Sequence, residues 1–303
     1  VNSAYGYLAA GGLTRFADVH AANRVTAHGR ELLGLLCREL AARGVTLLEA
    51  DTDGVYAAVP ASWTVDDERR VVAEVAALLP PLVQLEFEGR YAAMLSHEPK
   101  NYALAGYDGA LVLRGVAFRS RRAEPFGEAF LRRAIAALFA EDVPGVQAAY
   151  LATVAALRRR ELPTADVTTL VRLTKDPAEY AASPRRELPY EALLAAGRTT
   201  WRVGERIRVY RAHGGRAALY AADAGGGDDD EDDDDEAPPI AAADPRDYDV
   251  DHYVRQLRDT FAQRLARALS PEIFAAVFAD PDQPSLFAPS LAEARPILTI
   301  LEP

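Results

Sequence analysis

The chain has 303 residues, 50% hydrophobic and 26% charged, with a single cysteine and a formal net charge of -11. That composition excludes a disordered chain and allows one large or two medium domains; one cysteine excludes a disulfide framework or a cysteine-based zinc cluster, and no HExxH spacing occurs. No N-terminal stretch has the order of a signal peptide and no apolar run reaches about 18 residues, so the expectation is a cytoplasmic protein without a membrane span.

The elements follow in chain order. Val25, Leu32, Leu33, Leu36 and Leu40 recur at helical spacing within residues 15–43, with Gly44 placed to stop the helix and Cys37 expected on its buried face. Next comes "VTLLEADTDGVYAAV", residues 45–59, an apolar strand-like run interrupted by Asp51 and Asp53. Two readings are open for this pair. On a strand, side chains two apart share a face, so both carboxylates would lie together and call for a divalent cation such as Mg2+ or Mn2+. Alternatively, Asp53-Gly54 is a common hairpin-turn dipeptide. Thr64 with Asp67 three residues on predicts a capped helix stopped by Pro80-Pro81. Strand-like segments then run through 82–95, 100–109 and 110–118, giving an α+β layer of antiparallel sheet backed by helices.

Beyond about residue 115 the chain turns mainly helical. Helices are predicted over 124–140 and 143–161, a short hairpin over "RIRVYRA" and "RAALYAA", and a helix across 247–269 with Tyr253, Val254, Leu257, Phe261 and Leu265 on one face. Ser270-Pro271 restarts a further short helix.

Nine consecutive acids, "DDDEDDDDE" at 228–236, account for most of the charge: removing nine negative charges from -11 leaves -2. The run has no apolar face and repels itself, which reads as a solvated loop spanning about 223–244. A sharper reading is a mimic of nucleic-acid charge that competes for a basic groove.

Three short motifs carry a resemblance when taken in order. "VNSAYG" at 1–6, "DTD" at 51–53 and "PKNYAL" at 99–104 together resemble the C-terminal part of family B DNA polymerases, whose motifs are written KxxxNSxYG, YGDTDS and KKxY. "LRGVAFRSRRAEPF", "LTKDPAEY" and "GERIRVY" are similar to stretches of the family's thumb, so the likeness spans residues 1–287. It implies the end of the fingers helix and the C-terminal palm over 1–112, a mainly helical thumb over 113–278, and a C-terminal tail over 279–303.

The resemblance also assigns roles. It makes Asp53 a ligand of two Mg2+ or Mn2+ ions and Asp51 its electrostatic neighbour, for addition of deoxynucleotides to a primer 3′ end by two-metal phosphoryl transfer. Asn2, Tyr5 and Gly6 would floor the nascent base pair. Lys100 and Tyr102 match the primer-gripping motif, with Arg114, Arg119 and Arg121 as further DNA contacts, since phosphate contacts hold a duplex without reading its sequence. "QPSLF" at 283–287 is similar to a peptide that binds the bacterial sliding clamp, with Gln283, Leu286 and Phe287 as anchors.

The chain departs from the pattern at several positions. Glu49-Ala50 and Gly54 flank the aspartates, Asn101 stands where a second Lys is usual, and Ser120 and Arg122 replace an Arg and an Asp. No DxxSLYP motif occurs and no Lys lies four residues before Asn2. The expected protein is therefore a DNA-directed DNA polymerase as a truncated piece or as the small partner of a separate large subunit, inactive without the upstream region, working in replication or repair at the nucleoid. Its partners would be primer-template DNA, deoxynucleoside triphosphates and the bacterial clamp. The alternative is a non-catalytic module binding duplex DNA and clamp; a metal phosphohydrolase using Asp51 and Asp53 lacks an obvious set of further ligands.

Overall fold

The computed structural model describes residues 2–51, 54–120, 122–220, 244–282 and 289–297, Asn2 by its backbone alone. The chain forms two compact units that part between Arg90 and Tyr91.

In the first unit, α1 (Asn2–Ala9) packs on α2 (Val19–Ala42), and α2 packs on β1 (Thr46–Ala50) and α3 (Val65–Ala76). Asp18 starts α2 by accepting the Ala21 N–H at 2.9 Å, and Gly44 ends it with φ +84°, a left-handed conformation that suits glycine. The predicted apolar stripe is present but thinly covered: Leu33, Leu36, Leu40 and Cys37 are half-buried, and only Ala22 of this helix is buried. Cys37 is therefore not the core residue expected, because α2 is covered only by the short helix α1, the helix α3 and a two-stranded hairpin among the described residues.

That hairpin is β1 with β2 (Val55–Ala58), antiparallel, with Ala50 opposite Val55 and a bulge between Leu47 and Glu49. The capping box of α3 forms as predicted: the Thr64 hydroxyl accepts the Asp67 N–H, while the Thr64 N–H donates to Asp67 at 3.0 Å. The helix stops at Ala76, ahead of Pro80-Pro81.

The strand expected from residue 82 is not formed before Ala93. Its apolar alternation is real, but a strand also needs a neighbour to take its backbone hydrogen bonds. Residues 82–92 are instead tied at their end by Arg90, whose guanidinium forks onto the buried Glu68 carboxylate at 2.7 and 2.9 Å.

The second unit opens with a meander of β3 (Ala93–Glu98), β4 (Asn101–Ala105) and β5 (Leu111–Arg114). Ala103 and Leu113 join the same core as the helices that follow, so the compact unit begins well before the expected domain boundary at 112. Helix α4 (Pro125–Phe139) begins with Pro at its first position and packs against α5 (Val143–Arg158), capped by Asp142. A second sheet pairs β6 (Thr169–Arg172), β7 (Arg206–Ala212) and β8 (Arg216–Leu219), antiparallel in that order. Between β6 and β7 lie α6 (Pro177–Ala182) and α7 (Leu188–Ala195), which sequence patterning missed.

These two helices enclose a small core of their own. Tyr180 stacks on Tyr190 at 4.3 Å between centroids, with Trp201 5.7 Å from Tyr190. Their polar tips are satisfied: the Tyr190 hydroxyl accepts the N–H groups of Thr174 and Lys175, and the Trp201 N–H donates to the Lys175 carbonyl at 2.9 Å.

The predicted helix across 247–269 is regular only as α8 (Val250–Gln256); it widens to a π turn at Leu257–Phe261 and tightens to 3-10 at Ala262–Ala268. Tyr253, Leu257, Phe261 and Leu265 are buried as expected, and Val254 is half-buried. Helix α9 (Pro271–Val277) follows, capped by Ser270. The acidic run at 228–236 lies outside the described residues.

Gly127 in α4 faces the Phe261 ring so closely that a Cβ there would overlap it, and Phe126 meets the same ring edge-on at 5.5 Å. Gly127→Ala is expected to destabilise the second unit by about 1–3 kcal/mol through overpacking, read as a lowered Tm in thermal unfolding.

Candidate nucleic-acid interface

The candidate residues fall in both units, and each group is described within its own unit. In the first, Asn2, Tyr5 and Gly6 lie on α1, where Tyr5 is 39% exposed and Gly6 has open space around it. Asp51 does not lie on a strand. β1 ends at Ala50, and the Asp51 N–H donates to the Gly54 carbonyl at 2.9 Å, closing the hairpin turn. Asp51 thus stands at the end of β1, where the hairpin closes, and Thr52, like Asp53, falls outside the described residues, so the Asp53-Gly54 turn reading is not decided. Among the described residues no group of three His, Cys, Asp or Glu side chains is placed to hold a metal ion. Asp51 thus offers part of a donor set of hard oxygens, and the described residues do not complete it.

In the second unit, β3 and β4 are joined by a two-residue turn, Pro99-Lys100, with Glu98 opposite Asn101. Lys100 has φ +65°, in the region that usually takes glycine or asparagine, and Pro99 supplies the preceding turn position. A lysine held in a left-handed turn carries backbone strain that the surrounding structure must hold.

Its surroundings fix that conformation. Asn101 donates to the Pro99 carbonyl at 3.1 Å and accepts the Ala117 N–H at 2.8 Å, tying the turn at 115–119 to the hairpin. Gly115 has φ +82°, and a side chain there would strike the Lys100 carbonyl and the Asn101 amide. Asn101, which looked like a departure from the primer-gripping pattern, is a positioning residue for Lys100.

Tyr102 is buried on β4, directly across from Arg114 at the exposed end of β5. Arg119 is exposed, its N–H bonded to the Gly115 carbonyl at 3.0 Å. Lys100, Tyr102, Arg114 and Arg119 therefore belong to one hairpin and the turn locked against it. Arg121, and the clamp-peptide residues Gln283, Leu286 and Phe287, lie outside the described residues.

His97, on β3 just before this turn, meets Phe118 edge-on at 5.9 Å. Burial pushes its imidazole below the ordinary value; Glu98 opposes that shift, and Arg264 and Arg267 add to it. His252 is lowered in the same way, first by burial and then by Arg211.

The described part of the chain shows the fold of a family B DNA polymerase portion: it is similar to the family B polymerase of the hyperthermophilic archaeon Pyrobaculum calidifontis, with a TM-score of 0.59, 20% identity, and coverage of 89% of this chain and 32% of that one. Sequence comparison points to homology with archaeal DNA polymerases. The chain is 38% identical over 119 residues to a DNA polymerase of Pyrococcus horikoshii, covering 38% of this chain and 10% of that one. It is 28% identical over 214 residues to one of Methanocaldococcus jannaschii, covering 69% and 12%, and 27% identical over 201 residues to one of Thermococcus sp. 9oN-7, covering 65% and 26%. The chain thus spans only a small part of the length of the relatives it matches, and those relatives are archaeal. No protein-family profile matches it. Among the described residues no helix is long and apolar enough to cross a membrane.

Two outcomes follow. Lys100→Gly relieves the left-handed strain and is expected to stabilise the second unit by up to about 1 kcal/mol while weakening duplex DNA binding, measured by thermal unfolding beside a binding titration. Because burial lowers the proton affinity of His97 and His252 in the fold, protonation favours the unfolded chain. Stability is present above their unfolded value of 6.5 and falls as pH drops below it. A Tm profile between pH 7.5 and 5, flattened by replacing both histidines with Gln, checks this.

Proposed function

We propose that the chain is the C-terminal palm and thumb portion of a DNA-directed DNA polymerase, which extends a primer 3′ end with deoxynucleotides directed by a template. The observation that carries this reading is the similarity to archaeal DNA polymerases, which agrees with the motif order NSxYG, DTD and KNY. The Lys100 turn supports it further, since Lys100, Arg114 and Arg119 lie on one meander and the turn that follows it, and repeated cations suit a duplex backbone.

In this reading residues 1–112 are the end of the fingers helix and the C-terminal palm, and residues 113–278 the thumb. Asp53 and Asp51 form one wall of the metal site, and their oxygens suit Mg2+ or Mn2+. Held there in the assembled polymerase, such ions would supply electrostatic stabilisation of the phosphoryl transfer. Asn2, Tyr5 and Gly6 floor the nascent base pair. The clamp contact through Gln283, Leu286 and Phe287, and with it a bacterial setting, rests on the "QPSLF" motif alone.

The chain's own residues leave the chemistry to a larger assembly. Leu13 is 91% exposed, Phe16 79% and Leu82 97%, a concentration of large apolar side chains in solvent within a unit whose buried core is small. We read this surface as the part covered by the polypeptide that carries the remainder of the polymerase. The rival reading, a binding module without chemistry, is separated from it by activity once that remainder is present.

The test is primer extension by an enzyme containing the upstream polymerase region, with and without Asp53→Ala. Extension is expected to slow by at least about 10²–10³-fold with duplex affinity little changed. Unchanged extension in the variant overturns the assignment of Asp53; no extension by the complete parent enzyme favours the binding module.

A further inference from the structure

Strand β8 is an edge of its three-stranded sheet, paired with β7 on one side alone. The Tyr220 N–H donates to the Arg208 carbonyl at 2.9 Å, which makes 208 and 220 a hydrogen-bonded pair. Such pairs alternate along an antiparallel ladder, so Ala218 opposite Tyr210 and Arg216 opposite Ala212 turn their backbone groups toward β7. The N–H and C=O groups of Ala217 and Leu219 therefore point away from the sheet. Among the described residues these groups have no hydrogen-bond partner.

A cleft of about 470 Å³ lies along this edge. It touches Arg216, Ala217, Ala218 and Leu219 in succession, although successive side chains of a strand leave opposite faces. Contact with both sets means that the cleft follows the edge of β8 and not one face of the sheet. Ala192, Ala195 and Ala196 of α7 form the facing wall, the last two exposed. That wall carries only methyl groups, so the backbone of β8 stays within reach. Open donors and acceptors beside a wall of small side chains are what an added strand requires.

The polar rim is acidic. Asp247 accepts the Tyr210 hydroxyl through Oδ1 at 2.8 Å, and Glu191 accepts the Tyr180 hydroxyl through Oε1 at 2.7 Å. The second oxygen of each carboxylate accepts nothing among the described residues. Arg216 is the one cation among the described lining residues, and its Nε already donates to the His213 carbonyl at 3.2 Å. The nine acids at 228–236 belong to the stretch that joins Tyr220, next to Leu219, to Asp244, three residues before Asp247. Their negative charge is thus tethered to both ends of the cleft, and charge of one sign near a groove favours encounter with a ligand of the other.

We propose that this cleft binds an extended, lysine- or arginine-rich peptide of a partner protein, which adds to β8 as a fourth strand. Its main chain pairs with Ala217 and Leu219, small or β-branched side chains lie against α7, and its cations meet the free oxygens of Glu191 and Asp247. This goes beyond the polymerase reading and does not depend on it. An edge strand left open is a standing invitation to pairing, and the cleft restricts that pairing to a single narrow chain.

The test titrates the full chain with a fluorescein-labelled peptide that has an alternating Val-Ala core and lysines at both ends, read by anisotropy. Saturable binding that weakens as salt rises is expected. Ala195→Trp fills the cleft from an exposed helix position, and should raise Kd at least about tenfold without lowering Tm. Methylating the core amides of the peptide, so that they cannot pair with β8, or exchanging its lysines for glutamates, should raise Kd by at least about tenfold as well. Should Ala195→Trp unfold the chain, the amide-methylated peptide on the unaltered chain still decides. Unchanged affinity for that peptide overturns strand addition, unchanged affinity in a folded Ala195→Trp chain overturns the location, and no binding of the lysine-ended peptide overturns the proposal outright. If the parent chain sediments as a dimer that Ala195→Trp dissociates, the edge pairs with a second copy and the proposal fails. If the peptide binds only after residues 237–243 are replaced by a Gly-Ser stretch, the chain's own segment fills the cleft and the proposal fails. None of these results touches the Asp53→Ala test, so the polymerase reading stands or falls separately.

Discussion

The seating of the Phe261 ring against Gly127 is the constraint around which the second unit is arranged. A helix with any side chain at that position could not approach the C-terminal helical segment so closely. The close approach lets Phe126, Tyr253 and Phe261 pack edge to face, with centroid separations of 5.5 and 5.8 Å about Phe126. Helix α4 is thereby fixed between the C-terminal segment, its partner α5 and the meander of β3 to β5. The meander in turn carries the Lys100 turn. A single missing methyl group deep in the core thus determines the footing of an exposed cation.

The first unit is built on different terms. Its strongest internal ties are polar, the Thr64–Asp67 box and the Arg90–Glu68 fork, while much of its apolar surface stays in solvent. Hydrophobic burial is the main force that holds a domain together, and here little of it is available within the unit. Polar ties can specify geometry, but they contribute modestly to net stability. A unit of this kind is well defined locally and incomplete energetically.

Local signals were legible in the sequence wherever one element carried its own instruction. The Thr64 capping box, the Gly44 stop, the Ser270-Pro271 restart and the 206–219 hairpin all appear in the structure where the residues placed them. The misses arose where a neighbour decides. Residues 82–92 alternate like a strand but are not built into a sheet, and Cys37 has the spacing of a core residue but is only half-buried. Helices α6 and α7 are short and Pro-led, so their periodicity barely exceeds that of a loop. In the candidate interface, Lys100 was legible from its motif. Asn101 and Gly115, which hold it, became visible only when the turn at 115–119 was found folded against the hairpin.

The chain contains two tryptophans, and they fall one to each unit: Trp63 is half-buried just ahead of α3, and Trp201 sits in the aromatic core beside Tyr180 and Tyr190. Their surroundings differ, since the Trp201 indole is 8% exposed and its N–H is fixed on a carbonyl. Intrinsic fluorescence therefore carries two spectrally distinct reporters that nature has already placed. Replacing either indole by Phe leaves a native optical probe of one unit alone, by which the melting of each can be followed without a label.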